Sequence, residues 1–200
     1  LIADEFMVQQ NERGSNPAGG GIGPREYRSM QSEVAFVALP GAAGWMGFRR
    51  VSEVGGKAVD DTLGSLSAVL AGASPDDYAR ARAMLADSAR HNLGTPRTIN
   101  LPNLPLEILH PRHAHRFSMR LTGDDRVRGK KTTRLVLVEN VSPTIIRAVD
   151  GSDMRSIVTA FIEPATGKLW RADVVSRDPG PTRWSFEHVV SVEFKEERAL

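Results

Sequence analysis

The stretch Trp184-Ser-Phe-Glu-His-Val-Val-Ser-Val-Glu-Phe194 decides the fold, because its large apolar residues recur at every second position. Successive side chains of a β-strand point to opposite faces, so a period of two predicts a strand with one buried face. The residues between them are mostly polar, as expected where the other face of an antiparallel sheet meets water. The stretch therefore predicts a long strand of an antiparallel sheet.

The same signals extend through residues 114–197. Asp150-Gly151 and Pro164-Ala-Thr-Gly167 are turn sequences of the kind that join neighbouring antiparallel strands. Thr122-Gly-Asp-Asp125 is predicted as a further turn. Strand-like runs separated by such turns predict a meander of about six strands, since short turns can join only antiparallel neighbours.

The first half of the chain predicts two strands, Val34–Leu39 and Phe48–Val54, followed by helices. Ser74 and Pro75 are typical of a helix start, and apolar residues recur at helical spacing on either side of them, so residues 61–91 predict a helical hairpin. Residues 11–27 are rich in glycine and predict a flexible loop. Leu1–Gln10 is interpreted as the end of a helix that runs into a strand.

Together these elements predict one α+β domain over residues 1–200. Its curved antiparallel sheet, a meander resembling half a barrel, would carry the helical hairpin packed on one face. Because the chain begins at Leu1 rather than Met and stops within a strand-like pattern, we expect the domain to be truncated at both ends.

Composition excludes several classes of function. The chain has no cysteine, which excludes disulfides, thiolate chemistry and cysteine-ligated zinc. The net charge is only +2 and arginines alternate with acids, so we do not expect nucleic-acid binding. No apolar stretch approaches the roughly 18 residues that a membrane-spanning helix needs, so the chain is not predicted to be transmembrane.

The central strands carry the functional prediction, because Leu135–Val138 and Ile157–Ile162 are apolar on both faces. Both faces then need a cover, since exposed apolar surface costs about 25 cal/mol per Å². The predicted helices at 61–71 and 75–91 can cover one face. The other face needs the curl of the sheet itself, a removed terminal segment, a partner chain or an apolar ligand held in a groove. Strand parity selects the candidate lining of such a groove: Phe161, Trp170, Trp184 and Phe186.

Histidines are the candidate metal ligands. If residues 113–115 form a strand, His113 and His115 project to one face, at a ligand spacing suited to zinc or copper. His188 could supply a third imidazole, although a histidine on an apolar strand face is also typical of a hydrogen-bonded core residue. A metal-dependent enzyme is therefore an alternative hypothesis. No motif in the sequence identifies a catalytic residue or calls for an organic cofactor.

Three stretches carry a resemblance to a known family: Gly129-Lys-Lys-Thr-Thr-Arg-Leu-Val-Leu-Val-Glu139, Phe161-Ile-Glu-Pro-Ala-Thr-Gly-Lys-Leu-Trp-Arg171 and Trp184–Phe194. In their order of strand, hairpin and long alternating strand they are similar to the half-barrel of bacterial lipoprotein-sorting (lipoprotein carrier-like) proteins and their periplasmic sensor relatives. The stretch Phe48–Asp60 and the helices after it resemble an uncharacterised family of exported bacterial proteins.

The resemblance implies a curved sheet that holds acyl chains or a hydrophobic peptide, a periplasmic or otherwise exported location, and no catalytic residue to carry over. We therefore expect a non-catalytic domain that binds a lipid or an apolar segment of a partner, with no cofactor. The other alternative is a structural module that docks onto another protein through its sheet.

Overall fold

The computed structural model of the protein describes residues 2–13, 27–38, 45–59, 76, 79, 83, 91–92, 98–148, 150–177 and 184–195. Most of these residues lie in strands. The strands are β1 (Ile2–Arg13), β2 (Tyr27–Ala38), β3 (Trp45–Val54), β4 (Lys57–Ala58), β5 (Phe117–Val127), β6 (Lys130–Glu139), β7 (Ile146–Arg147), β8 (Asp153–Met154), β9 (Ser156–Ile162), β10 (Leu169–Arg177) and β11 (Trp184–Phe194).

Nine strands form one sheet in the order β4-β3-β2-β1-β11-β10-β9-β6-β5, and every pairing is antiparallel. Its edge strands, β4 and β5, do not pair with each other, so the described sheet is curved but not closed. The predicted curved antiparallel sheet is confirmed. The short strands β7 and β8 pair separately as a hairpin between β6 and β9.

Two predictions about strands are wrong. Leu1–Gln10 was expected to be a helix end that runs into a strand, but no helix is present at Ile2–Arg13, which is strand β1 throughout and pairs with β2 on one side and β11 on the other. Thr122–Asp125 was expected to be a turn, but β5 runs through it to Val127. A shift of register between Leu121 and Gly123 marks a bulge there, and a bulge absorbs turn-like residues without ending the strand.

The predicted helical hairpin at 61–91 lies largely outside the described residues. Asp76, Ala79 and Ala83 are described, and each is helical and exposed. Of the predicted loop 11–27, residues 11–13 belong to β1 and Tyr27 begins β2, while the rest lies outside the described residues. The helix that the structure describes is α1 (Leu104–Ile108), between 3₁₀ turns at Thr98–Asn100 and Pro111–Arg116.

We call the face of the sheet that bears the main core its inner face. Met7, Val158, Val174, Val190 and Val192 lie on it and are buried. The segment 98–116, with Ile99, Leu104 and Ile108, packs into the same core, as do Ile146 and Met154 of the β7–β8 hairpin. Helix α1 contacts β10. The segment 98–116 thus crosses the inner face before the chain enters β5.

Gly47 on β3 allows this crossing segment to come close. A Cβ atom at position 47 would lie 2.8 Å from Cβ of Pro102 and 2.9 Å from the backbone nitrogen of Asn103. Carbon atoms in contact normally stay about 3.5–4.0 Å apart. The position therefore accepts no side chain while Pro102 lies against the strand.

A buried ion pair lies in the same region of the inner face. The guanidinium of Arg49 on β3 donates from Nε and from NH2 to the two oxygens of Glu5 on β1, at 2.5 and 2.7 Å. Ser32 Oγ on β2 donates to the same carboxylate at 2.6 Å, and Arg49 NH1 donates to the carbonyl oxygen of Asn100 at 2.8 Å. All four residues are buried. The pair therefore joins three strands to the crossing segment.

Breaking this ion pair on one side should be much more costly than removing it. Arg49→Met leaves the Glu5 carboxylate buried without its partner, so we expect a loss of about 3–5 kcal/mol in the free energy of unfolding. The double variant Glu5→Leu/Arg49→Met removes both charges and should recover most of that loss. Urea unfolding monitored by circular dichroism measures both.

The matched control is Lys131→Gln, which breaks the exposed pair of Lys131 and Asp124. It should cost less than about 1 kcal/mol, because exposed ion pairs contribute little. Equal losses in Arg49→Met and in the double variant would contradict the role given to the ion pair.

Candidate functional site

A row of apolar side chains crosses the inner face of the sheet, and its last member, on the edge strand, is exposed to solvent. In register across six strands lie Met119, Leu137, Val158, Val174, Val190 and Met7. The last five are buried, whereas Met119 on the edge strand is 47% exposed. The core of the protein thus continues, on the same face, into side chains that nothing in the described structure covers.

The neighbouring row behaves in the same way. Leu121 is 69% exposed on β5 and pairs with the half-buried Leu135 on β6. Behind them in register come the small, fully buried side chains of Ala160 and Ala172. We call Met119, Leu121 and Leu135 the apolar edge. It is the part of the inner face with the most exposed apolar surface, and the chemistry available there is the binding of another apolar group.

A buried polar row borders these apolar rows on the inner face. It consists of Glu139, Ser156, Ser176, His188 and Gln9. Glu139 accepts hydrogen bonds from Ser156 Oγ at 3.0 Å, from the backbone nitrogen of Ile145 at 2.8 Å and from Arg116 Nε at 3.3 Å. Its carboxylate is therefore occupied by structural partners, as expected of a buried charge.

His188 lies within that polar row and is 3% exposed. It stands opposite Ser176 on β10 and Gln9 on β1. Ser176 Oγ donates to the backbone oxygen of Arg155 at 3.5 Å, so the described contacts do not make it a nucleophile activated by the histidine. This buried position agrees with the interpretation of His188 as a core histidine.

His113 and His115 do not lie on a strand, which was the premise of the metal hypothesis. Both lie in the 3₁₀ turn Pro111–Arg116, before β5 begins at Phe117. His113 Nε2 lies 2.9 Å from Glu107 Oε1, and His115 is exposed. Within the described ranges, no three histidine or acidic side chains are grouped so that they could hold a metal ion. Metal binding by His113, His115 and His188 stays a prediction, which elemental analysis of the purified protein would test.

Glu107 is the centre of a local polar cluster at the end of α1. Arg112 NH2 also donates to Glu107 Oε1, and His110 Nδ1 accepts from the backbone nitrogen of Arg112 at 3.2 Å, which caps the turn. Burial raises the pKa of the Glu107 carboxyl, but the hydrogen bonds and positive charges of Arg112 and His113 outweigh it, so this pKa falls below its ordinary value. The cluster gives His113 a structural partner.

The residues predicted to line a groove are only partly described. Phe161 and Trp170 are brought together with Val127 in a small cluster, separate from the main core. This cluster lies on the outer face, opposite the inner one, because Phe161 alternates with the core residue Ala160 and pairs with Arg134 and Arg171. The side chains of Trp184 and Phe186 lie outside the described part of β11. Phe161 and Trp170 therefore do not line the apolar edge.

A bulge accounts for the position of Trp170. The register of β10 against β9 shifts between Leu169 and Arg171, and the extra residue is Trp170. One extra residue in a strand reverses the parity of side chains on either side of it. Leu169 consequently packs against the main core, while Trp170 joins the outer cluster.

Comparison with known proteins gives little at the level of sequence. No protein-family model matches this chain. No curated protein matches it either.

Among solved structures, the chain is similar to proteins of the lipoprotein-sorting class. A LolA superfamily protein from Nitrosomonas europaea matches 98% of this chain and 87% of its own, with 6% identity and a TM-score of 0.24. A putative outer membrane lipoprotein-sorting protein domain from Vibrio parahaemolyticus matches 96% and 83%, with 9% identity and a TM-score of 0.23. A DUF1329 family protein from Desulfovibrio piger matches 99% and 87%, with 11% identity and a TM-score of 0.19.

The first two names agree with the resemblance found in the sequence. At these TM-scores the similarity carries no argument about a binding site, so the site must be argued from this chain alone. No helix in the described ranges is long and apolar enough to cross a bilayer.

The Glu107 cluster generates a pH prediction. A carboxyl whose pKa is lowered in the folded state stabilises the protein above its unfolded pKa, about 4.3 for glutamate, and this contribution is lost as pH falls through the folded value. Glu107→Gln should therefore flatten the decline of unfolding free energy between about pH 5 and pH 3. Urea unfolding at several pH values measures it; curves of identical shape for the two proteins would contradict the assignment.

Proposed function

We propose that this protein is a non-catalytic carrier that binds an apolar chain, either the acyl chain of a lipid or an apolar protein segment, against its apolar edge. The single observation that carries the proposal is the exposure of Met119 and Leu121 at 47% and 69%, on rows whose other members form the core. Because these exposed side chains adjoin the core on the same face, a bound apolar chain would contact an apolar surface like that of the core.

The energetics favour an extended apolar ligand. Burying the side chain of a leucine or methionine that was exposed contributes about 1.5–3 kcal/mol. Met119 and Leu121 stand at alternate positions on one strand, about 7 Å apart, so a flexible chain could contact both while lying along the strand. The half-buried Leu135 would form the floor of that contact on β6.

The location is proposed on the resemblance alone. Proteins of the lipoprotein-sorting class act in the bacterial envelope, and the sequence resemblance implies the same exported location for this chain. A carrier of this kind has no need of a catalytic residue or a cofactor, so the partners we propose are a hydrophobic ligand or a lipid-modified or apolar protein segment.

Binding of oleate tests the proposal. The wild-type protein should displace an environment-sensitive fluorescent fatty acid in a saturable manner, and oleate should compete with it. The variant Met119→Gln/Leu121→Gln should weaken binding by about tenfold or more, since each tenfold corresponds to about 1.4 kcal/mol of lost apolar contact.

The matched control is Ile157→Gln, which removes an apolar side chain that is 48% exposed on the outer face. It should change oleate affinity by less than about twofold, because it lies on the other side of the sheet. The absence of saturable binding, or an equal loss of oleate affinity in the control variant, would contradict the carrier proposal.

A specific observation favours a second candidate, a protein-interaction module. On the outer face, Val138, Ile157, Val175, Val189 and Val8 form one cross-strand row. Val138 is 36% exposed and Ile157 is 48% exposed. The second apolar face that the sequence predicts for the central strands is therefore open to solvent at these residues. A second copy of the chain could bury this row face to face.

Light scattering after size-exclusion chromatography tests that candidate. If the row mediates self-association, the wild-type protein forms a dimer and Ile157→Lys weakens it by at least about tenfold, because a charge would be desolvated in the interface. Leu121→Lys, at the apolar edge, serves as the control and should leave the dimer intact. A wild-type monomer at high concentration would exclude this interface.

A further inference from the structure

The outer face carries a cluster of hydrogen-bond donors around Trp170. Trp170 is 2% exposed, and Lys168 Nζ and Lys130 Nζ lie 4.4 Å and 5.5 Å from the centre of its ring. Phe161 and Val127 pack against the same ring. A tryptophan under two ammonium groups is electrostatically favourable, since the ring face is negative. It also concentrates positive charge over one small area of surface.

Three buried polar atoms around this ring have no partner in the part of the chain that the structure describes. They are Nε1 of Trp170, Oγ1 of Thr132 and Nε of Arg134. The indole and guanidinium nitrogens can only donate, and the hydroxyl can donate. Buried donors without an acceptor are unfavourable and uncommon in folded proteins.

The strand pairing places these groups together. Lys130, Thr132 and Arg134 alternate along β6 on the outer face. Arg134 stands opposite Phe161 on β9, and Trp170 is the bulged residue of β10 beside it. Four donor groups from two strands and the turn before β10 thus surround a single aromatic cluster. We call Thr132, Arg134, Lys168 and Trp170 the donor cluster.

Three neighbouring carboxylates accept hydrogen bonds from groups outside the donor cluster. Asp125, opposite Thr132, accepts from the backbone nitrogen of Arg126 at 2.7 Å. Glu163 accepts from Thr166 Oγ1 at 2.6 Å. Asp173 accepts from Arg171 Nε at 2.8 Å, so Arg171 is already paired and is not counted in the cluster.

We infer that the donor cluster binds a phosphate-type oxyanion, either free or as the head group of a phospholipid. A phosphate group offers three or more strong acceptor oxygens, which suits three donors and the ammonium group of Lys168 better than the two oxygens of a carboxylate. The lysine side chains lie over the ring on flexible stems, so a movement of their ammonium groups opens the donors to the anion. The site lies on the face opposite the apolar edge and does not depend on the carrier proposal.

The indole N–H of Trp170 provides a direct readout. In ¹⁵N-labelled wild-type protein the three tryptophans give three indole signals, and Trp170→Phe assigns the one that belongs to position 170. Inorganic phosphate, titrated at constant ionic strength against chloride, should move this signal saturably and leave the other two in place. Vesicles containing phosphatidylglycerol, compared with vesicles of phosphatidylcholine alone, distinguish an anionic lipid head group from a free anion as the source.

Matched charge variants complete the test. Lys168→Gln should weaken the phosphate effect at least fivefold, whereas Lys131→Gln, with the same charge change at a lysine paired with Asp124, should alter it less than twofold. Thr132→Val, which keeps the side-chain shape and removes one donor, gives a second variant with the same expectation as Lys168→Gln. No movement of the Trp170 signal with phosphate or with anionic vesicles, an equal movement with chloride, or an equal loss in Lys131→Gln would overturn the inference.

Discussion

The bidentate contact between Arg49 and Glu5 fixes the geometry on which the rest of the structure depends. It lies within the core rather than at the surface, where Ser32 makes a further hydrogen bond to Glu5 and the carbonyl of Asn100 accepts one from Arg49. A charge pair in that position cannot tolerate a displaced partner, so β1, β3 and the crossing segment 98–116 must meet in one arrangement. Gly47 then lets the segment lie close against β3. What the segment leaves uncovered, at the β5 edge, is the surface where binding is proposed.

The regular part of the fold could be predicted from the sequence, because strand periodicity is a local property. The alternation of Trp184–Phe194 identified β11, and the turn at Pro164–Gly167 lies where β9 gives way to β10. One of the two wrong strand predictions lies at a bulge. Asp124 and Asp125 resemble a turn, yet a bulge lets β5 pass through them, and a second bulge moved Trp170 to the opposite face from the one that its parity predicted. A bulge depends on how two strands pair, and the sequence of either strand alone does not predict that pairing.

The candidate site was less accessible to prediction, for a related reason. Met119 and Leu121 were recognised as members of an alternating strand, but their exposure follows from β5 being the edge of the sheet. Whether a strand lies at the edge or in the centre of the sheet depends on the order of all nine strands. Likewise Glu5 and Arg49 are 44 residues apart and carry no local signal of a partner. The aromatic residues were the obvious candidates for an apolar groove, yet Phe161 and Trp170 lie on the other face, where two lysines cover the Trp170 ring.

The pairing of β1 with β11 has a consequence for how the chain acquires its structure. Ala3 lies opposite Phe194, so two strands that are separated by most of the given sequence are neighbours in the sheet. Until residues 184–194 leave the ribosome, β1 has one open edge, and the core face that holds Met7 lacks Val190 and Val192. Pairings of such long sequence separation form slowly, because the entropy of the intervening loop is lost before the contacts between the strands contribute any stability. A nascent chain that has not yet reached residues 184–194 therefore carries β1 with one unpaired edge, a state that favours recognition by chaperones.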